Sequence, residues 1–503
     1  ITPVVPTSED ATSTDIQGQT QSGKPTFTEG NPNVPIDEDT PATFEDGSTT
    51  KTVDGEGTYT VAPDGTVTFV PEKSFTGTAS GVTVKRVDKN GTEITAKYTP
   101  TVTPVTPTAT PVETTDIQGA TQTGKPVFTE GDSRVPMNDD VPATFDDGST
   151  TKTVDGVGTY TVAADGTVTF VPEKSFVGTA PAVTVVREDK NGTKASATYT
   201  PTVTPVTPTA EDTTSTDKQG QTQTGTPTFT PGNPNVPMDD DTPATFEDGS
   251  TTKTVPGEGT YTVSPDGTVT FVPEKSFTGT ASGVTVKRVD KNGTEITAKY
   301  TPTVTPVTPT ATPVETTGKQ GQTQTGKPVF TEGDSRVPMN DDVPATFDDG
   351  STTKTVDGVG TYTVATDGTV TFVPEKSFTG KAPAVTVVRE DKNGTKASAT
   401  YTPTVTPVTP TATPAESTGP QGLVQTGAVT FTEGDEVAPI NKDSITLLDE
   451  NGQPAESVVA KSPEGKEIGT FTVDKETGVV TFTPTDKSYS GDVVPVKVQG
   501  KDT

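Results

Sequence analysis

The chain has 503 residues, a formal charge of −31 and a pI near 4.3, which argues against nucleic acid and anionic membrane surfaces as partners. It contains no Cys, no His and no Trp, so disulfides, Cys nucleophiles, His general bases and Cys/His zinc sites are excluded. Hydrophobic residues are only 27%, and Leu, Ile, Val and Phe together about a fifth, so any core must be thin.

Taken in order, Lys24–Gly30 reads as a short strand ending in a turn, and an acidic loop from Asn31 to Asp39 leads to a second short strand, Pro41–Phe44. The central element is Thr58–Pro71. Tyr59 and Val61 before its turn, and Val67 and Phe69 after it, alternate with threonine, which places the apolar set on one face of a pleated hairpin. Pro63 and Asp64 suit the two corners of a type I turn, and Gly65 the residue with positive φ that follows. Phe75 then anchors a crossing segment. Val82–Val87 and Glu93–Tyr98 form a last hairpin around Asn90-Gly91, read as a tight type I′ turn. Pro100 lacks a ladder donor, so Tyr98–Pro107 is expected as an edge or extended tail. Residues 107–122 are Thr/Pro-rich and read as a semi-stiff linker.

The pattern repeats. The Phe of Pro-Glu-Lys-Ser-Phe falls at Phe75, Phe176, Phe277 and Phe378, so 176 − 75, 277 − 176 and 378 − 277 all give 101. Its fifth counterpart is Tyr489, and 489 − 378 gives 111, an insertion of ten residues around Leu447–Lys466. Units this long are whole domains rather than elements of a solenoid. The expected fold is all-β: tandem antiparallel β-sandwich-like domains joined by Thr/Pro-rich linkers. The expected boundaries are 16–107, 117–208, 218–309, 319–410 and 421–503, with 1–15 as the tail of a preceding repeat and linker. Ile1–Thr7 resembles Val102–Thr108, and the last residues stop where other repeats enter a hairpin turn, so both ends read as cuts through a longer protein. Repeats one and three match closely (Asn31-Pro32-Asn33 with Asn233-Pro234-Asn235), as do two and four (Asp132-Ser133-Arg134 with Asp334-Ser335-Arg336). Duplication of a two-repeat block explains this. In repeat five, Val493–Val498 aligns with Gly81–Arg86 and its returning strand is missing, which predicts an exposed edge and the least stable unit.

The run Gly-Thr-Tyr-Thr-Val, Asp-Gly-Thr-Val-Thr-Phe-Val-Pro, Ser-Phe-x-Gly, Asp-Lys-Asn-Gly-Thr and Tyr-Thr-Pro-Thr-Val-Thr-Pro-Val, recurring over essentially the whole chain, resembles the CshA-type fibril repeat. That family forms repeat tracts in cell-wall-anchored surface adhesins of Gram-positive bacteria. The resemblance implies a cell-surface location and a fibril shaft, with adhesive contacts chiefly in a non-repetitive region outside this chain. It supplies no binding residues.

Chemistry is sparse. The acidic loops offer Asp37, Glu38, Asp39, Asp139 and Asp140 as weak Ca²⁺ candidates, without EF-hand spacing; solvated loops are the better reading. Lys73, Lys174, Lys275 and Lys376 recur beside Glu72, Glu173, Glu274 and Glu375, yet an isopeptide crosslink needs a buried Lys and amide, and the recurrent Asn90, Asn191, Asn292 and Asn393 are turn residues. Asn90-Gly91-Thr92 also fits a glycosylation sequon. The Thr-x-Thr faces are too short for an ice-binding array. No pair of carboxylates stands apart from the repetition, so no enzyme, cofactor or metal centre is expected. The leading reading is a structural stalk whose partners are neighbouring repeats, with host-surface or bacterial-surface partners met mainly through a region outside this chain. The alternative is a multivalent tract in which each repeat binds a host protein or glycan weakly.

Overall fold

The computed structural model describes all 503 residues, Ile1–Thr503, and contains strands and turns but no helix. Each of the first four repeats folds the same way. In repeat one the strands are β1 (Thr7–Glu9), β2 (Ala11–Ile16), β3 (Gln21–Gly23), β4 (Thr26–Thr28), β5 (Thr43–Phe44), β6 (Thr50–Val53), β7 (Gly57–Val61), β8 (Val67–Pro71), β9 (Gly77–Thr78), β10 (Val82–Val87) and β11 (Glu93–Thr103). Two sheets face each other. One has the order β3-β8-β7-β6; the other has the order β2-β11-β10-β5, with β9 also paired to β11. A small ladder, β1-β4, pairs with neither sheet but packs beside β11, with Phe27 against the core.

The central hairpin forms as its alternation requires. Tyr59 pairs with Phe69 and Val61 with Val67, and the Tyr59 and Phe69 rings lie 4.5 Å apart. Gly65 has φ +91°, and its N–H donates to the Ala62 carbonyl (2.9 Å), giving the expected type I turn with a following glycine. These side chains meet Phe44, Val82, Val84, Tyr98 and Val102 in an eleven-residue buried cluster, with Phe75 packed against it. Three further repeats carry the same eleven-residue cluster. Gly23 is required by this packing, since a Cβ there would lie 2.3 Å from the Tyr98 ring.

Several expectations are corrected. The Asn90-Gly91 turn is not type I′, because no non-glycine residue has positive φ. Gly91 N–H donates to the Asp88 carbonyl (2.8 Å), so Asn90 occupies the second corner of a type I turn and Gly91 alone takes φ +83°. Pro100 is not at an edge either: β11 is flanked by β10 and β9 on one side and by β2, running parallel, on the other. The Pro100 carbonyl accepts from Ala79 N–H (2.9 Å), in the gap between β9 and β10. In a strand the N and C=O of one residue point the same way, so the missing donor faces that gap and breaks no ladder bond.

The linker is the largest correction. Residues 107–122 hold two strands, Thr108–Thr110 and Val112–Ile117. The second runs parallel to Lys194–Thr204, with Val112 opposite Tyr199. Likewise residues 1–15, expected as tail and linker, contribute β1 and most of β2 to repeat one. What crosses between repeats is only the stretch 104–107.

Repeat five is the exception. Its sheets are Gln425–Ala428, Val479–Pro484, Glu467–Val473 and Ser457–Lys461 in one, and Pro454–Ala455, Ile440–Leu448 and Lys497–Asp502 in the other. The strand expected at Val493–Val498 is displaced to Lys497–Asp502. Pro495 cannot donate to a ladder, and pairing of Val498 with Leu447 sets the register. Only Ile445, Leu447, Ala460 and Ile468 are buried hydrophobic side chains in this unit.

Candidate functional site: the joint between repeats

The residues that recur most regularly without belonging to a core gather where one repeat meets the next. After β2 the chain turns through Gln17-Gly18. Gln17 is buried (5% exposed) and ties three segments together. Its backbone N–H donates to the Thr103 carbonyl at the end of β11 (2.8 Å). Its side-chain Nε2 donates to the Lys73 carbonyl (2.8 Å), and its Oε1 accepts from Val105 N–H in the crossing stretch (3.1 Å). One glutamine therefore fixes the exit of the chain from the repeat. Gln118, Gln219 and Gln320 make the same three contacts in the next repeats.

The following repeat closes on this clamp. The hairpin tip of repeat two places Asn191 against Gln17-Gly18, with Nδ2 donating to the Gln17 carbonyl (3.0 Å). Asn292 reaches Gln118 and Asn393 reaches Gln219 in the same way, both at 2.9 Å. Gly18 has φ +85°, and a Cβ there would lie 2.1 Å from Asn191 Oδ1, so only glycine leaves room for the asparagine. Valines on both sides are covered: Val105 and Val135 are 5% and 1% exposed, whereas Val34, the counterpart of Val135 in repeat one, is only partly buried.

Charge distinguishes the joints. Arg134 Nη1 lies 3.1 Å from Asp15 Oδ1 across the first joint. Arg336 grips Asp217 across the third through both carboxylate oxygens, at 2.9 and 3.2 Å, and its hydrogen bonds hold the Asp217 carboxyl below the usual range. At the second joint Asn235 stands where Arg134 and Arg336 stand in their repeats, and the Asp116 carboxylate accepts only from Ile117 N–H. At the fourth joint the polarity reverses, with Gly318 in place of the aspartate and Lys319 paired to Asp435 of repeat five. Gly321 there has open space around it, in a hollow bordered by Gln320, Val408, Val437 and Asp502.

The sequence-derived candidates lie elsewhere. Glu38 faces Arg86 (3.3 Å), and Asp37 and Asp39 share Lys89 (2.9 and 3.1 Å). Asp139 faces Arg187 (2.8 Å) and Asp140 faces Lys190 (3.4 Å). The hydrogen bond from Lys89 is the largest cause that lowers the Asp37 pKa to about 2. The acidic loops thus close intramolecular ion pairs with the last hairpin. Lys73 is exposed, and it is its carbonyl, not its amine, that the structure uses. Sequence reasoning took Asn191 as a turn residue only. The missed signal is a second dipeptide at the same spacing, Gln-Gly at 17, 118, 219, 320 and 421.

The model of the surface adhesin CshA repetitive domain matches five consecutive segments: 3–102, 104–203, 205–304, 306–405 and 407–503. The chain belongs to this family. In the first four segments the CshA repeat, so delimited, begins before the strand corresponding to β1 and ends within the strand corresponding to β11, in step with the strand pairing. No curated protein matches the chain. Among solved structures it is similar to the protocadherin GammaB4 extracellular domain, at 12% identity over 98% of this chain and 82% of that one, with a TM-score of 0.31. It is also similar to Drosophila N-cadherin EC1-4 (13% identity, 79% and 98% covered, TM-score 0.19). The N-terminal eight Ig domains of Down Syndrome Cell Adhesion Molecule are matched at 13% identity, with 100% and 84% covered and a TM-score of 0.18. Likenesses this low carry no argument about how the CshA repeats work.

Proposed function

We propose that this CshA repeat tract is the non-enzymatic stalk of a bacterial surface fibril, holding an adhesive region away from the cell wall. The observation that carries the reading is the joint. A binding module on a flexible string needs no specific contact with its neighbour, yet three successive joints here repeat one clamp and one asparagine latch, with only residues 104–107 crossing. Such joints limit bending between domains each about 13 Å in radius of gyration, so that five reach on the order of 200 Å. The net charge of −31 keeps neighbouring shafts apart at short range. The partners are then adjoining repeats, and host or bacterial surfaces are met through other regions of the parent protein.

The test pairs small-angle scattering of the tract with binding of one isolated repeat to matrix proteins and glycans. A rod-like tract and no specific binding by the single repeat are expected. Specific, saturable binding by one repeat would favour the multivalent adhesive reading instead.

A further inference from the structure

We propose that Asn191, Asn292 and Asn393 are sites of spontaneous deamidation that the closed joint suppresses, and that conversion of any of them prevents its joint from closing again. Each is followed by glycine, the neighbour that least hinders the reaction because it carries no side chain. The backbone nitrogen of the glycine attacks the asparagine Cγ, the bond from Cγ to the side-chain nitrogen breaks, and ammonia leaves. The resulting five-membered imide then adds water at either carbonyl and opens to aspartate or iso-aspartate. The net change is amide plus water to carboxylic acid plus ammonia, with no oxidation or reduction.

The structure restrains this attack in three ways. Gly192 N–H is held by the Asp189 carbonyl (2.9 Å), and Asn191 N–H by Asp189 Oδ1 (2.9 Å). The third restraint comes from the neighbouring repeat, where Asn191 Nδ2 donates to the Gln17 carbonyl with Gly18 beneath its Oδ1. Asn90 is the internal comparison. It keeps the first two restraints, with Gly91 N–H on the Asp88 carbonyl (2.8 Å) and its own N–H on Asp88 Oδ1 (2.9 Å). Its side chain is exposed and makes no contact equivalent to that with Gln17. The difference between Asn90 and the other three therefore isolates what the joint contributes.

Once converted, the side chain cannot serve the joint. The amide donor facing the Gln17 carbonyl becomes a carboxylate oxygen, which is acceptor-only at neutral pH. Two acceptors then face each other in a half-buried contact, and the iso-aspartyl product also lengthens the turn. A joint that opens long enough to react stays open. This inference needs only the joint geometry and holds whether the tract is a stalk or an adhesive array.

The experiment incubates the full chain at mildly alkaline pH and follows each asparagine by peptide mapping and mass spectrometry. Conversion of Asn90 several-fold faster than Asn191, Asn292 and Asn393 is expected; equal rates at all four would overturn the protective role. A triple variant, Asn191→Asp, Asn292→Asp and Asn393→Asp, mimics the converted state without altering the cores. Its scattering profile should show a more compact, more flexible particle than the unaltered chain. An unchanged profile would overturn the claim that conversion keeps joints open.

Discussion

Asn191 and Gln17, 174 residues apart, meet through a single hydrogen bond of 3.0 Å that joins two domains. The bond is modest in itself, yet it sits on a glutamine whose other contacts fix the end of β11, the Lys73 segment and the crossing stretch. Loss of the glutamine should therefore cost more than loss of the asparagine.

Gln118→Ala removes the side-chain donor to the Lys174 carbonyl and the acceptor for Val206 N–H. Leaving buried polar groups unpaired costs about 1–3 kcal/mol. Repeat two should melt earlier in calorimetry, and repeat three should lose part of its coupling to it. Unshifted transitions would show that water satisfies these groups at no cost.

The Arg–Asp pairs make the first and third joints differ from the second. Asn235→Arg should build the missing pair with Asp116 and narrow the distance distribution between spin labels on repeats two and three. Arg134→Asn should widen the distribution across the first joint. Both sites are partly exposed, so each effect is worth at most about 1 kcal/mol and should fade with added salt. A second joint already as rigid as the first would contradict the assignment.

Burial raises the pKa of Tyr59, Tyr160, Tyr261 and Tyr362 to about 12, against about 10 for an exposed phenol. The folded state binds the proton more tightly, so this contribution is fully present below pH 10 and is lost as pH rises through 12. Repeats one to four should unfold together in that window, with tyrosinate absorbance rising in step with loss of the β signal. Ionisation completed near pH 10 without unfolding would show that the hydroxyls reach water.

Repeat five should exchange its amides fastest. It lacks the eleven-residue cluster of the other units, and Lys497–Asp502 pairs on one side only, with Ile440–Leu448. Hydrogen exchange should show weaker protection there than in Val385–Glu390, which has partners on both sides. Equal protection in the two strands would mean that the smaller core suffices.

Much of each repeat was legible because it is local. The alternation around Tyr59 and Phe69, and the Pro63-Asp64-Gly65 turn, specify a hairpin with one buried face whatever surrounds it. The period was legible by counting. Residues 107–122 were not, because Thr/Pro composition describes an isolated extended chain equally well. Only a partner 87 residues away, Tyr199 opposite Val112, turns that extension into a strand, and only the gap beside Pro201 lets the proline sit in a central strand. Asn191 divides the same way. Its place in a turn follows from the residues beside it, whereas its bond to Gln17 depends on how two folded domains abut, which no local pattern encodes.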